Sequence, residues 1–128
     1  MTATSTVTVR PVRDADIPVI TKIYAHAVLH GVASFEVDPP DEAEMTRRMR
    51  AVVDAGFPYL VAEKDGRVLG YAYAGLYRTR PAYRNSIENS VYVGPDAHRL
   101  GVGRALLAEL IDIATRAGFR QMIAVIGD

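Results

Sequence analysis

Five short segments of the chain are rich in β-branched, aromatic and other apolar residues, in part alternating with polar ones, which predicts β-strands. The predicted strands are Thr6–Arg10, Tyr59–Glu63, Arg67–Leu76, Glu88–Val93 and Gln121–Ile126. Pro11 follows the first strand and is expected to end it. Asp65–Gly66 separates the second strand from the third and is typical of the tight turn of a β-hairpin.

Three other segments place apolar residues three and four positions apart, which predicts helices that each bury one face. The predicted faces are Ile17, Ile20, Tyr24, Ala27 and Val28 in the first helix, Met45, Met49, Val52 and Val53 in the second, and Val102, Leu106, Leu110 and Ile113 in the third. Asp14 is the expected cap of the first helix. In the second, acidic residues precede Arg47, Arg48 and Arg50, an order that complements the helix dipole. The resulting order, βααβββαβ, predicts one α+β domain with a mixed sheet.

Composition narrows the class of protein without defining its chemistry. The 128 residues are 49% hydrophobic, and 15 basic residues balance 15 acidic ones, which argues against nucleic acid or a membrane surface as the main partner. Thirteen of the basic residues are arginines, which favour forked recognition of carboxylates or phosphates. The chain has no cysteine and no apolar run of the roughly 18 to 20 residues that span a bilayer, so we expect a cytoplasmic protein.

A histidine pair raises the question of a metal site. His26 and His30 lie four residues apart, a spacing that can bind a metal ion. No third ligand accompanies them at motif spacing. We therefore expect no metal, and a solvated or capping role for both histidines.

The strongest chemical signal lies where the fourth strand joins the third helix. Gly101 and Gly103 would let backbone N–H groups approach a ligand at the positive end of the helix dipole. Arg99 and Arg104 can add charge-assisted bonds to phosphate oxygens. No Gly-Lys-Ser/Thr follows, which excludes a P-loop, and Leu106 stands where a dinucleotide fingerprint has its third glycine. The segment predicts an anion site, although glycine pairs at helix starts also occur for packing.

The pattern Arg-x-Gly-x-Gly at Arg99–Gly103, before an aliphatic helix, resembles the acyl-CoA signature of the GNAT superfamily of N-acyltransferases. Further segments resemble its phosphinothricin and methionine sulfoximine N-acetyltransferases, namely Ala33–Glu36, Tyr71–Gly75, Arg80–Tyr83, Glu88–Val93 and Ala124–Gly127. The resemblance implies the GNAT fold, a sandwich-like, mostly antiparallel mixed sheet flanked by helices. It also implies acetyl-CoA as co-substrate, a small amino-acid-like acceptor and a homodimer.

The resemblance assigns roles to several residues around the predicted anion site. The pyrophosphate of coenzyme A would be bound by Arg99, Leu100, Gly101, Val102, Gly103 and Arg104. The backbone of Val91, Tyr92 and Val93 would pair with the pantetheine arm like an added strand, and an N–H there would polarise the thioester carbonyl. Glu88 is the expected general base, because an amino-acid acceptor arrives as an ammonium ion and must lose a proton before direct attack. The alternative for Glu88 is a structural ion pair with an arginine.

The loop before Glu88 is the expected acceptor site. Positions 67 to 87 hold four arginines and no acidic residue, which would attract an acidic substrate. The expected acceptor-binding residues are Phe35, Arg78, Thr79, Arg80 and Tyr83. A solvated basic loop and ordinary packing of the aromatic rings are the alternatives. His98 is expected in a solvated turn in preference to a phosphate contact.

Domains of this family continue past the fifth strand, whereas this chain ends at Asp128. We therefore expect a single acyltransferase domain over residues 1–128 that lacks its C-terminal part, where the general acid would lie. The leading hypothesis is acetyl transfer to the α-amine of phosphinothricin or methionine sulfoximine. The alternatives are an N-acyltransferase of the same fold for another small amine, and a coenzyme-binding module without turnover.

Overall fold

Five strands and three α-helices follow the predicted order along the chain. The computed structural model describes residues 7–30, 37–76, 86–95, 97, 101–117 and 121–127. The strands are β1 (Thr8–Pro11), β2 (Tyr59–Lys64), β3 (Arg67–Leu76), β4 (Ser86–Val93) and β5 (Gln121–Gly127), and the helices are α1 (Ile17–Leu29), α2 (Glu42–Asp54) and α3 (Val102–Arg116). The strands form one sheet in chain order, antiparallel from β1 to β4, with β5 parallel to β4. The predicted α+β class with a mixed sheet is confirmed.

The start of α1 differs from the prediction. Asp14 does not cap this helix; it begins a short 3₁₀ turn, and Asp16 is the residue that precedes α1. The Asp14 carboxylate instead pairs with Arg50, 3.1 Å away. Pro11, predicted to follow β1, is the last residue of this strand and lies opposite Leu60. A proline is tolerated at this position because β1 is an edge strand.

Helix α2 begins as predicted but buries a narrower face. The side chain of Asp41 accepts a hydrogen bond from the backbone N–H of Glu44 at 2.8 Å and caps the helix. Met45 and Met49 are buried, whereas Val53 is 45% exposed, because the 100° turn per residue carries it past the edge of the apolar face. The arginines do not reach the last turn; they lie mid-helix and pair with carboxylates.

The two faces of the sheet carry different cores. Helices α1 and α2 cover one face, where tyrosines from α1, β2, β3 and β4 pack with isoleucines and methionines. Helix α3 covers the other face against small residues, with Leu106 and Leu110 fully buried. The last buried position of α3 is Ala114, and Ile113, predicted to be buried, is only partly so.

Gly70 in β3 determines how closely α3 approaches the sheet. A Cβ atom at this position would lie 2.8 Å from Val102 Cγ1 and 2.9 Å from the carbonyl oxygen of Tyr92. Those distances are too short for any real contact, so only glycine allows this packing. The glycine therefore holds the first turn of α3 directly beside the end of β4.

A charged network that the sequence did not reveal joins β1, the 3₁₀ turn and β2. Arg10 donates to both carboxylate oxygens of Asp16 at 2.8 Å and to Glu63 at 3.1 Å. Burial alone raises the pKa of Asp16, but hydrogen bonds from Arg10 and from the backbone N–H of Arg13 outweigh it and hold the pKa below its ordinary value. The network therefore fixes the entry to α1 with an ionised carboxylate.

Replacing Asp16 by Asn should lower the free energy of unfolding at pH 7 by about 1–3 kcal/mol, because the bonds lost are charge-assisted and buried. The folded pKa of Asp16 is depressed, so its contribution is present above the unfolded pKa of about 3.9 and is lost as the pH falls through the folded value. Urea unfolding of both proteins between pH 7 and pH 3 measures this. The difference in the free energy of unfolding between the wild-type protein and Asp16→Asn should become smaller only in the acidic part of that pH range.

Asp14→Asn is the matched control, because its ion pair with Arg50 is exposed on both sides. We expect it to change the free energy of unfolding by less than about 0.5 kcal/mol. Equal losses in the two variants would show that the buried network adds no stability of its own.

Candidate active site

The end of β4 and the start of α3 are held together by backbone hydrogen bonds. The N–H of Gly94 donates to the carbonyl of Leu69 at 2.8 Å, and the N–H of Ala97 donates to the carbonyl of Gly94 at 2.9 Å. Ala97 is buried against α3. These contacts anchor the loop that leads to the predicted anion site.

The N-terminus of α3 carries no acidic residue in its first turn and has no side-chain cap among the residues described there. Gly101 precedes the helix with φ +77°, a left-handed conformation that favours glycine, and a Cβ there would meet no described atom within 4 Å. Arg104 is exposed in the first turn. By contrast, α2 is capped by Asp41 and has two glutamates in its first turn. No described side chain covers the positive end of α3, and that end fits a phosphate group.

Gly103 lies two residues after Gly101, in the first turn of α3. A Cβ atom at this position would lie 3.5 Å from Val93 Cγ2, which is an ordinary contact, so the fold tolerates a small side chain here. Val102 is buried and anchors the turn to the sheet. Arg99, Leu100 and His98 lie outside the described residues, so their predicted positions beside the helix end stay predictions.

The register of β4 gives the backbone position of Glu88. It lies opposite Gly75 in β3 and Ile123 in β5; its side chain is outside the described part of the structure. A Cβ at Gly75 would meet no described atom within 4 Å. Glu88 therefore lies at a point of the sheet that described side chains do not fill.

The proposed pantetheine segment, Val91–Val93, is partly paired with β5. Val91 lies opposite Ile126 and Tyr92 opposite Gly127, and Val93 extends beyond the last pair. An added strand could contact Val93 directly, but at Val91 and Tyr92 it would have to take the place of β5. The contact with the pantetheine arm stays a prediction.

A cavity of about 190 Å³ lies between the sheet and α1 and α2. Its lining residues are Tyr24, Met45, Arg48, Val52, Tyr59, Tyr71 and Tyr73. The rings of Tyr59, Tyr71 and Tyr73 are nearly parallel, with centroids 5.1 to 6.4 Å apart. Sequence reasoning assigned Tyr24 to the core and missed this cavity. Strand alternation could have grouped the β-strand tyrosines on one face, but nothing local signals a void.

The predicted acceptor-binding residues lie outside the described part of the structure. They are Phe35, Arg78, Thr79, Arg80 and Tyr83. The chain leaves β3 at Leu76 and enters β4 at Ser86, two residues before Glu88. The loop with the arginines therefore begins and ends beside the candidate base, while the contacts of those side chains stay predictions.

His26 and His30 lie at the C-terminal end of α1. The rings of His26 and His30 stack with centroids 4.0 Å apart, and His30 Nδ1 lies 2.8 Å from the carbonyl oxygen of His26. The backbone N–H of His30 donates to the same carbonyl, which matches the expected capping role.

Across the described ranges, no three histidine, aspartate or glutamate side chains are placed to hold a metal ion. Nor does any helix in the part of the chain that the structure describes have the length and apolarity to cross a membrane.

Comparison with known proteins agrees with this arrangement. Residues 21–128 match the profile of the acetyltransferase (GNAT) family. A phosphinothricin N-acetyltransferase of Alcaligenes faecalis is 59% identical over 94% of this chain and 61% of its own length. An L-methionine sulfoximine/L-methionine sulfone acetyltransferase of Salmonella typhimurium LT2 is 41% identical over 91% of this chain and 68% of its own.

A solved structure shows the same fold. The crystal structure of a GNAT superfamily phosphinothricin acetyltransferase from Sinorhizobium meliloti, in complex with AcCoA, matches with a TM-score of 0.89 and 50% identity. The match covers 95% of this chain and 66% of that one. The chain thus spans about three fifths to two thirds of the length of these relatives. On its sequence and its fold, the chain belongs to the acetyltransferase (GNAT) family.

Proposed function

We propose that the protein transfers the acetyl group of acetyl-CoA to the α-amine of a small amino-acid analogue such as phosphinothricin or methionine sulfoximine. The observation that carries this is the open positive end of α3 beside the end of β4. Relatives at 59% and 41% identity are named for acetylation of these two acceptors. The combination supports one reaction, acetyl transfer from a coenzyme A thioester to an amine.

The helix end would hold the pyrophosphate of the co-substrate. Backbone N–H groups from Val102 to Arg104 lie in the first turn of α3, where the dipole favours negative charge. Arg104, together with Arg99, would add charge-assisted hydrogen bonds. When bound, acetyl-CoA supplies the activated acetyl group as a thioester. Among the backbone N–H groups of Val91 to Val93, one would donate to the carbonyl oxygen as it gains negative charge.

Glu88 would act as general base. The α-ammonium of the acceptor would give one proton to the Glu88 carboxylate, and the neutral amine would attack the thioester carbonyl. As the C–S bond breaks, the second proton lost by the amine nitrogen would pass to the sulfur, so that coenzyme A leaves as its thiol. No described atom lies within 4 Å of a Cβ at Gly75, opposite Glu88, which supports this assignment because an acceptor needs room there. No covalent bond between enzyme and acetyl group is needed.

The loop between β3 and β4 would bind the acidic groups of the acceptor. Arg78 and Arg80 present forked donors that match a carboxylate or a phosphinate, with Thr79 between them. Phe35 and Tyr83 would form an apolar wall beside the acceptor. A homodimer and a cytoplasmic location also stay predictions.

Coenzyme A release measured against a panel of acceptors tests the proposal. We expect acetylation of phosphinothricin and methionine sulfoximine with kcat/KM at least about tenfold above that of common amino acids, a preference of about 1.4 kcal/mol. A higher kcat/KM for another amine would replace the proposal with a broader N-acyltransferase. Acetyl-CoA binding without thiol release for any amine would instead indicate a coenzyme-binding module.

A further inference from the structure

We infer that the tyrosine cavity binds the end of the acceptor's side chain, where phosphinothricin, methionine sulfoximine and methionine sulfone carry oxygen on a tetrahedral phosphorus or sulfur atom. This inference rests on the proposed function and adds a binding site to it. The tyrosine cavity is the space bounded by the seven residues from α1, α2, β2 and β3 given above. None of them belongs to the anion site or to the loop between β3 and β4, whose arginines would then bind the α-carboxylate of the acceptor.

The size and the walls of the cavity fit a small amphipathic group. Its volume of about 190 Å³ exceeds the roughly 150 Å³ of an apolar cavity that binds benzene. Met45, Val52 and the tyrosine rings offer apolar contacts for methyl and methylene groups. The cavity is partly open to solvent, since the side chain of Arg48 is 39% exposed, so water or a small ligand can enter it.

A buried hydroxyl at the cavity makes no hydrogen bond to any residue that the structure describes. Tyr71 is fully buried, and its hydroxyl makes no hydrogen bond within the described residues. Burial raises the pKa of Tyr71 well above its ordinary value, so the phenol stays protonated and can donate a hydrogen bond. Leaving a hydroxyl unpaired in a protein interior is unfavourable, and a hydrogen bond to an oxygen atom of the ligand would remove that cost. The hydroxyl therefore favours an oxygen-bearing ligand over a hydrocarbon.

The wall formed by α2 carries positive charge. Arg48 and Tyr59 both line the cavity. Arg48 shares the carboxylate of Glu44 with Arg47, and hydrogen bonds from Arg47 and Arg48 lower the pKa of Glu44 to about 2. The guanidinium of Arg48 therefore belongs to an ion-pair cluster on α2 and brings a positively charged group to the cavity wall. The cavity wall is thus suited to an anionic or strongly polar oxygen.

The cavity lies beside the expected point of acetyl transfer. Tyr73 is opposite Ser90 in β4 and Tyr71 is opposite Tyr92, whereas Glu88 is two residues before Ser90. Two strand residues span about 7 Å, which is comparable to an extended side chain of an amino acid of this size. An acceptor with its amine near Glu88 can therefore reach the cavity with its far end.

Three acceptors that differ only in the far end of the side chain test the inference. Phosphinothricin has an anionic end, methionine sulfone a neutral end with oxygen, and methionine no oxygen. We expect Arg48→Met to raise KM for phosphinothricin by about 10- to 100-fold, with a much smaller change for methionine. We expect Tyr71→Phe to raise KM about three- to tenfold for the two oxygen-bearing acceptors only, with kcat retained. Arg47→Met is the matched control, because Arg47 binds the same Glu44 carboxylate but does not line the cavity.

Binding of the dimethylphosphinate anion, which has no amine, separates this inference from the proposed function. We expect this probe to shift the NMR signals of ring-labelled tyrosines in the wild-type protein and in Arg47→Met, but not in Arg48→Met. That result upholds the cavity site even if no amine is acetylated. Equal KM changes for all three acceptors, equal effects of the two arginine variants, or no tyrosine shift with the probe would each overturn the inference.

Discussion

Replacing Glu88 by Gln lowers the turnover of acceptor acetylation by about 10² to 10⁴ and leaves acetyl-CoA affinity unchanged, if Glu88 is the base. The amide keeps the size of the side chain but cannot accept the ammonium proton. Because the fraction of neutral amine rises with pH, the defect should shrink as the pH approaches the pKa of the acceptor amine. Steady-state kinetics between pH 6 and pH 9.5, with acetyl-CoA affinity measured by calorimetry, test this expectation.

Glu109→Gln provides the control for this substitution. Glu109 lies on α3, and its nearest ion-pair contact, with Arg116, is a loose 3.8 Å. We expect this variant to keep wild-type turnover at every pH. Normal turnover of Glu88→Gln at neutral pH would place the base elsewhere, and a loss independent of pH would favour a structural ion pair for Glu88.

Gly101→Val should reduce acetyl-CoA binding below detection. A side chain at φ +77° strains the backbone, and a β-branched one stands in the open space where the pyrophosphate would approach. Isothermal titration with acetyl-CoA and with coenzyme A measures the loss. Gly103→Ala offers a second variant without positive φ, since its Cβ would make only an ordinary contact with Val93. We expect it to weaken binding with little change in stability.

Gly66 supplies a matched control for the strain at Gly101. It also has φ +77°, and a Cβ at Gly66 would meet no described atom within 4 Å, but it lies in the turn between β2 and β3. Gly66→Val should therefore lower thermal stability about as much as Gly101→Val while acetyl-CoA affinity stays at the wild-type level. Equal coenzyme affinity in the two variants would disprove the anion site at α3.

Local patterns predicted most of the fold because strands, helices and turns depend on neighbours in sequence. The β3 strand was predicted with its observed bounds, Arg67–Leu76. The turn before it has positive φ at both Asp65 and Gly66, as that pair of residues requires in a tight hairpin. Asp41 caps α2 because its carboxylate accepts a hydrogen bond from the backbone N–H of Glu44, as expected of an aspartate before a helix. Asp14 was wrongly predicted to cap α1 because its carboxylate pairs with Arg50, a residue distant in sequence.

The candidate site was predictable in the part that one continuous segment builds. The glycines and arginines between β4 and α3 indicate an anion site because close backbone approach and helix polarity are local properties. The tyrosine cavity has no such signature, since its walls come from α1, α2, β2 and β3. A void arises from how elements pack, and each of its residues by itself has the pattern of an ordinary core residue.

The sequence by itself determined the order of elements, most positions of the buried faces, the polarity of the α3 terminus and the resemblance to GNAT acyltransferases. Each of these depends on residues within a few positions of one another. Only the tertiary structure decided that Arg10 binds Asp16 and Glu63, that Gly70 seats α3 against β4, and that Arg48 and Tyr71 share a cavity. These contacts join residues on separate elements, and their energies depend on distances that no local pattern specifies.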